Sequence, residues 1–320
     1  MSAAVTCRAV SVTSMSEPAT PQLRSVTNAL SGIEVDIVAD PADMYLQSQL
    51  AAPDNFEPVV SVARRILASD AVVLDVGACL GFVSAAMSQV LPAGRVVAVE
   101  AGPHLIEGLR STAARARGAS VHVVHAAVGA TSGEIEYHAD ANGGAWGYVT
   151  PAGTGLRAPA TANIVTVAQR TIDDIVADCR LERVDLMKLD VEGFEVRALE
   201  GAQATLDRWS PVVVAELNPF CLWRYGRTLP QDLIDVMRAR FAYLHAVAPD
   251  GSVTSLDNES AISALLGTIG VTGGLVNLVG STTPVDLPER FDVASQAVDG
   301  DVAPVGQRAS IMSRVLRRRR

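Results

Sequence analysis

The chain has 320 residues, of which 49% are apolar, 4% aromatic and 19% charged, and its formal net charge is −9. Such a chain can bury one substantial core and is too apolar to be disordered throughout. The acidic balance opposes docking on a phosphate backbone, so no nucleic-acid partner is expected.

Residues 1–28 are rich in Ser, Thr and Pro with weak periodicity and are expected to form a flexible leader, within which Met15 offers a second start. No apolar signal-peptide core occurs there and no later run has the length of a membrane span, so the chain reads as soluble. Cys7, Cys79, Cys179 and Cys221 are scattered without a zinc or disulfide spacing, which suits a reducing, cytoplasmic setting. A single domain is expected over residues 29–280, beginning with a helical extension.

Within it, short Val-rich runs alternate with amphipathic segments. The runs at 72–76, 95–99, 121–125, 185–189 and 212–217 read as parallel strands, and 243–247 with 274–279 as a closing antiparallel pair. Helices are expected over 82–91 and 103–117. The pattern predicts an α/β, Rossmann-like, doubly wound and mostly parallel seven-stranded sheet with helices on both faces. Residues 139–159, rich in Gly, Ala, Pro and Thr, read as a loop that shapes a substrate pocket. Residues 281–320 read as a disordered tail ending in five arginines within Arg314–Arg320, a cluster suited to peripheral contact with anionic lipid or an acidic partner.

The strongest local signal is the strand Val72–Val76 running into Gly77-Ala78-Cys79-Leu80-Gly81 and then a helix. Glycines are needed where the backbone turns sharply and a ligand approaches closely. A dinucleotide fingerprint has a further glycine where this chain has Cys79, which argues against NAD and an oxidoreductase. Asp75 at the strand tip can meet an ammonium group. Glu100, ending the next strand 23 residues after Gly77, can accept both hydroxyls of a ribose. Together these anchors fit an adenosyl ligand with an amino-acid tail.

At this point the sequence resembles the FkbM family of methyltransferases. The matching pieces are Asp75-Val76-Gly77-Ala78 with Gly81 and Ser84, residues 94–100 ending in Glu100, Ala126-Ala127-Val128-Gly129, Thr171-Ile172-Asp173-Asp174, Lys188-Leu189-Asp190-Val191-Glu192-Gly193-Phe194-Glu195, and Glu216-Leu217-Asn218-Pro219. The resemblance implies S-adenosyl-L-methionine as cofactor, held at Asp75, Gly77, Ala78, Gly81, Glu100 and Ala127. It further implies O-methylation of a small-molecule hydroxyl on a sugar, glycolipid or polyketide. Two departures stand out: the family commonly has Asn at the place of Cys79, and its usual proline after the acidic strand end appears later, at Pro103.

A hydroxyl is a poor nucleophile at neutral pH and needs a base or a divalent cation beside it. Asp190 and Glu192 stand two apart at a strand tip, and Glu216 with Asn218 ends the following strand. Strand ends of an open α/β sheet border the ligand crevice, so Asp190, Glu192 and Glu216 are the expected catalytic carboxylates. Asp190 and Glu216 are also hard oxygen ligands suited to a cation such as Mg²⁺, while a metal-free base remains the alternative. In a competing structural reading, Glu192 merely caps the helix beginning at Gly193. His104, His122 and His245 read as isolated structural residues, His125 and His138 as flanking the adenine, and Trp146, Tyr148 and residues 219–225 as possible walls of the acceptor pocket. A non-catalytic protein that only binds the cofactor is the remaining alternative.

Overall fold

The structure, a computed structural model, describes residues 22–52, 54–139, 147–150 and 163–292. It opens with a β-hairpin: β1 (Arg24–Leu30) pairs antiparallel with β2 (Ile33–Ala39) across Ser31 and Gly32, whose φ values are 49° and 75°. Two successive positive φ angles match the right-handed twist of the flanking strands. Next come α1 (Met44–Leu50), where the Asp43 carboxylate accepts the Leu46 N–H at 2.9 Å, then β3 (Asp54–Asn55) and α2 (Pro58–Ile66). The expected helical extension is therefore mixed, with a hairpin ahead of its helices, and regular structure begins at Arg24, inside the segment expected to be leader.

Then follow β4 (Val72–Val76), α3 (Phe82–Val90), β5 (Arg95–Glu100), α4 (Ile106–Ala113) and β6 (Ser120–His125). A second, smaller sheet comprises β7 (Ala127–Val128), β8 (Gly133–Ala139), β9 (Tyr148–Val149) and β10 (Asn163–Arg170), in the order β7-β10-β8-β9. Part of the segment expected as loop is thus sheet. Beyond it lie α5 (Ile172–Asp178), β11 (Leu186–Leu189), α6 (Glu195–Glu200), α7 (Gln203–Trp209) and β12 (Val212–Leu217). A short α8 (Pro219–Cys221) runs into a π-helical turn at Leu222–Gly226, followed by α9 (Pro230–Arg240), β13 (Tyr243–Val247), β14 (Val253–Ser255), α10 (Glu259–Thr272) and β15 (Val276–Ser281).

The main sheet has the order β14-β13-β15-β12-β11-β4-β5-β6. Five strands are parallel neighbours from β12 to β6, and β15 pairs antiparallel with both β12 and β13. The expected seven strands are all present; the eighth is β14, a three-residue edge strand too short to read from periodicity. Alternation along β4 shows why the sheet is covered twice. Leu74 and Val76 enter the core shared with α5, α6, α7 and α9, whereas Val73 enters the core shared with α2 and α3. All three are at most 1% exposed, and each such burial stabilises by about 1.5–3 kcal/mol.

The hairpin belongs to this body. The Val38 N–H donates to Thr112 Oγ1 on α4 at 2.9 Å, and a Cβ at Gly108 would come within 2.6 Å of the Val38 carbonyl oxygen. At the other end, Phe291 is buried beside Phe56, with ring centroids 6.2 Å apart, so packed chain extends past the boundary expected at 280. From β4 the strand order runs one way to β5 and the other to β11, which opens a crevice at the carboxyl ends of β4 and β11.

Candidate functional site

Both chains leaving that crevice make strained turns. After β4, the Gly77 and Ala78 N–H groups donate to the Val99 carbonyl at 2.9 and 3.0 Å. Gly77 has φ 83°, and a Cβ there would lie 1.8 Å from the Asp190 carbonyl oxygen, so only glycine lets the two turns approach. Cys79 follows at φ 51° and gives its N–H to Glu100 Oε2 at 2.8 Å. Glu100 Oε1 accepts the Gly102 N–H at 2.7 Å. Burial raises the Glu100 carboxyl above its ordinary range, and the two N–H donors work against that rise.

Across the crevice Lys188, on β11, is buried with its ammonium 2.9 Å from the Gly77 carbonyl oxygen, 3.1 Å from Asp75 Oδ1 and 3.6 Å from Asp190 Oδ2. Burial alone would lower the Lys188 pKa, but the attraction of Asp75 and Asp190 outweighs it and holds the side chain above its ordinary value. The group is a fixed cation. After β11, Glu192 adopts φ 52° and Gly193 φ 100°. The Cys221 thiol donates to Glu192 Oε2 at 2.8 Å, and burial followed by the Glu192 charge drives the Cys221 pKa upward. Glu216, at the end of β12, is 4% exposed, with Asn218 Nδ2 3.4 Å from its Oε2.

A cavity of about 250 Å³ lies over these strand ends. Gly77, Ala78, Glu100, Ala127, Asp190, Glu192 and Glu216 all line it. Tyr137, Gly147 and Val128 continue the wall beside Glu100, while Tyr45, Phe56, Leu275 and Asn277 wall the opposite part.

Asp75 is not among the residues lining the cavity: it is 0% exposed, with Ser84 Oγ donating to Oδ2 at 2.5 Å and Lys188 at Oδ1, so it anchors Lys188. Gly81 also lies off the cavity; it starts α3 at φ 89°, where a Cβ would stand 2.7 Å from Leu109 Cδ1, so it serves helix packing. For the expected metal pair, Asp190 and Glu216, the structure offers no support. Among the described residues no three His, Cys, Asp or Glu side chains gather as a metal-binding group, and the cation facing Asp190 is the Lys188 ammonium.

Of the aromatic candidates, Trp146 lies outside the described residues. Tyr148 lines the cavity, stacked between His138 and Tyr225 with centroids 4.8 and 3.8 Å away, and Phe220 meets Tyr225 edge-on. His138 is thereby a packed, buried ring, and burial depresses its pKa. His125 Nε2 stands 3.2 Å from the Ala101 carbonyl oxygen at the end of β6. Sequence reading missed Lys188 and Glu195 as site-forming residues and named Cys221 only within the 219–225 acceptor wall, without its contact to Glu192. The signal was present for two of them: a lysine inside an otherwise apolar strand, and a second glutamate three residues after Glu192.

Fold and cavity define a Rossmann-like protein with a cavity at the switch point of a doubly wound sheet. Within that class, the chain belongs to the FkbM methyltransferase domain family, whose profile matches residues 75–243. Solved structures similar to it include an FkbM methyltransferase from Methylobacillus flagellatus KT, at 17% identity and TM-score 0.43, covering 70% of this chain and 48% of that one. The chain thus spans about half the length of that protein. A precorrin-6y C5,15-methyltransferase from Geobacter metallireducens GS-15 is similar at 13% identity, 70% and 87% coverage, and TM-score 0.39. An O-methyltransferase from Bacillus cereus, in complex with SAH, is similar at 11% identity, 74% and 88% coverage, and TM-score 0.39. Among curated proteins none matches. No helix among the described residues is long and apolar enough to cross a membrane.

Proposed function

We propose that the chain is an S-adenosyl-L-methionine-dependent O-methyltransferase acting on a hydroxyl of a small molecule. The family membership carries the methyl-transfer half of this reading. The observation that carries the rest is the arrangement of carboxylates in one cavity, with Glu100 beyond the Gly77 turn and Asp190, Glu192 and Glu216 on the near strand ends. Each Glu100 oxygen spends one lone pair on a backbone N–H and retains another, which suits it to accept the two hydroxyls of a ribose. The small Ala78 and Ala127 leave room beside it. The Gly77 turn would lie along the methionyl part, with the Lys188 ammonium fixing the turn's carbonyl.

The bound cofactor supplies a methyl group on a positively charged sulfur. Positioning of the acceptor oxygen in line with that bond provides much of the rate, because the step moves charge without creating it. The chain's own part is to hold the acceptor hydroxyl and remove its proton. Glu192 and Glu216 are the carboxylates for that proton, and Asp190, held by Lys188, shapes the field around it. On transfer of that methyl group from sulfur to the acceptor oxygen, the hydroxyl proton would pass to a carboxylate oxygen of Glu192 or Glu216.

The dinucleotide alternative loses ground on geometry. Cys79 stands where a pyrophosphate-binding turn would have glycine, and its N–H is already committed to Glu100. Sugars, glycolipids and polyketides are the acceptor classes proposed, each bearing hydroxyls that require such a base. The arginine tail proposed for peripheral contact lies outside the described residues.

The test is calorimetry with S-adenosylmethionine and its demethylated product, followed by incubation with radiolabelled cofactor and fractionated cell extract. Binding with transfer into a metabolite, glycan or lipid fraction is expected. Glu192→Gln and Glu216→Gln are expected to bind cofactor normally while transfer falls by about 10²–10⁴-fold. Absence of cofactor binding by the folded protein would overturn the reading, and unchanged transfer in both variants would overturn the assigned roles.

A further inference from the structure

Glu192 lines the cavity with its backbone in the left-handed region, at φ 52°. That conformation costs a non-glycine residue about 1–2 kcal/mol, so something must hold it. Several contacts converge on the same turn. The Val191 and Gly193 N–H groups, one on each side of Glu192, both donate to Glu195 Oε1, at 3.1 and 3.2 Å. Gly193 is pressed against the following element: a Cβ on it would lie 2.3 Å from the Cys221 carbonyl oxygen, and one on Gly226 would lie 1.9 Å from the Gly193 carbonyl oxygen. The Cys221 thiol then meets the Glu192 carboxylate itself.

Glu195 is 1% exposed and does not line the cavity, so it cannot touch a ligand there. The geometry points to Glu195 as a positioning residue: by clamping the two peptide N–H groups that flank Glu192, it forces the left-handed turn that delivers the Glu192 carboxylate to the acceptor side of the cavity. The inference rests on the proposed function only in assigning Glu192 to the acceptor; the clamp itself is independent of it. Both bonds go to one oxygen, so the clamp needs an acceptor at Oε1 and no charge. Burial, which pushes the Glu195 pKa up to about 8, fits a neutral acid in that role.

A neutral clamp makes a sharp prediction for three variants of the full chain. Glu195→Gln keeps an amide oxygen in the same place and preserves the turn. Glu195→Leu removes the acceptor, and Glu195→Asp draws it back by one methylene. Peptide-resolved amide hydrogen exchange is the first readout, with the β4 segment 72–76 as internal control. The segment 190–194 is expected to exchange about tenfold faster or more in Glu195→Leu and Glu195→Asp, at wild-type rate in Glu195→Gln, and the control unchanged. Transfer of radiolabel is expected to fall at least about tenfold in the Leu and Asp variants with cofactor affinity kept, and to be retained in Gln.

Wild-type exchange over 190–194 in both the Leu and Asp variants would overturn the clamp. Loss of turn protection in Gln equal to that in Leu would overturn it as well, since charge would then be the essential property. If Leu fails to fold, shown by fast exchange in the control segment, Asp decides alone. Failure of the wild-type protein to bind cofactor would sink the proposed function while leaving the exchange result to judge the clamp.

Discussion

The turns after β4 and after β11 solve the same problem in two ways. Each leaves a parallel strand through non-glycine and glycine residues at positive φ: Gly77 and Cys79 in the first, Glu192 and Gly193 in the second. Each is braced by a buried glutamate that accepts two backbone N–H bonds and whose carboxyl is raised by burial. The difference lies in where the brace comes from and which oxygens it uses. Glu100 arrives from the neighbouring strand β5, uses both oxygens, and lines the cavity. Glu195 belongs to the helix that follows its own turn, uses one oxygen, and is shut away from the cavity. One brace is thus also placed to contact a ligand, while the other acts only through the residue it holds.

Lys188 ties the two turns together, and removing it is the most damaging way to break the comparison. Lys188→Met leaves Asp75 charged, buried and without its cation, which is expected to destabilise the fold by about 3–5 kcal/mol in a denaturant titration. Adding Asp75→Asn in the same chain should recover part of the loss. An unaffected midpoint in Lys188→Met would show that the turns stand independently.

Glu100→Gln sharpens the comparison from the first side. A glutamine can accept one of the two N–H bonds but must point its own N–H₂ at the other, so affinity for S-adenosylmethionine is expected to fall about ten- to hundredfold by calorimetry, equal to about 1.5–3 kcal/mol. Glu195→Gln, by contrast, should leave cofactor affinity unchanged.

The second brace carries a pH signature. With the folded Glu195 at about 8 and an ordinary value of 4.5, the folded state holds a proton that the unfolded state has released across this window. Stability therefore falls as pH rises from about 4.5 to 8, at most by about 1.4 kcal/mol per pH unit from this group. Melting curves of Glu195→Gln across that range should lose this slope. A slope identical to wild type would mean that Glu195 does not titrate there.

The smallest effect is expected at Cys79. Asn is among the non-glycine residues that best tolerate the left-handed region, so Cys79→Asn is expected to raise stability by about 0.5–1 kcal/mol. The cost of departing from the family's usual residue is then partly backbone strain, beyond any lost amide contact with a ligand.

How much of this was legible before folding differs by residue. The strands at Val72–Val76, Val212–Leu217 and Tyr243–Val247 emerge with the expected bounds because each is a short, mostly buried run rich in apolar residues, interrupted only by Asp75, Glu216 and His245 respectively. The hairpin from Arg24 to Ala39 escaped because its first strand begins inside a Ser/Thr-rich segment read as leader, and its partner on α4, Thr112, lies 74 residues beyond Val38. Glu100 and the trio Asp190, Glu192 and Glu216 were readable as acids near strand ends, but the left-handed turn in which Glu192 lines the cavity, past the end of β11, was not. Asp75 was legible as a strand-tip acid, but its environment, set by Lys188 and Ser84, which bury it, was not.

The sequence by itself determined the layered α/β plan, the glycine turn and the family, because hydrophobic period and local turn chemistry are written in consecutive residues. Only the tertiary structure decided which acids face the cavity and which are consumed as braces. That division depends on contacts such as Lys188 with Asp75 and Cys221 with Glu192, between side chains 113 and 29 positions apart, which no local pattern encodes.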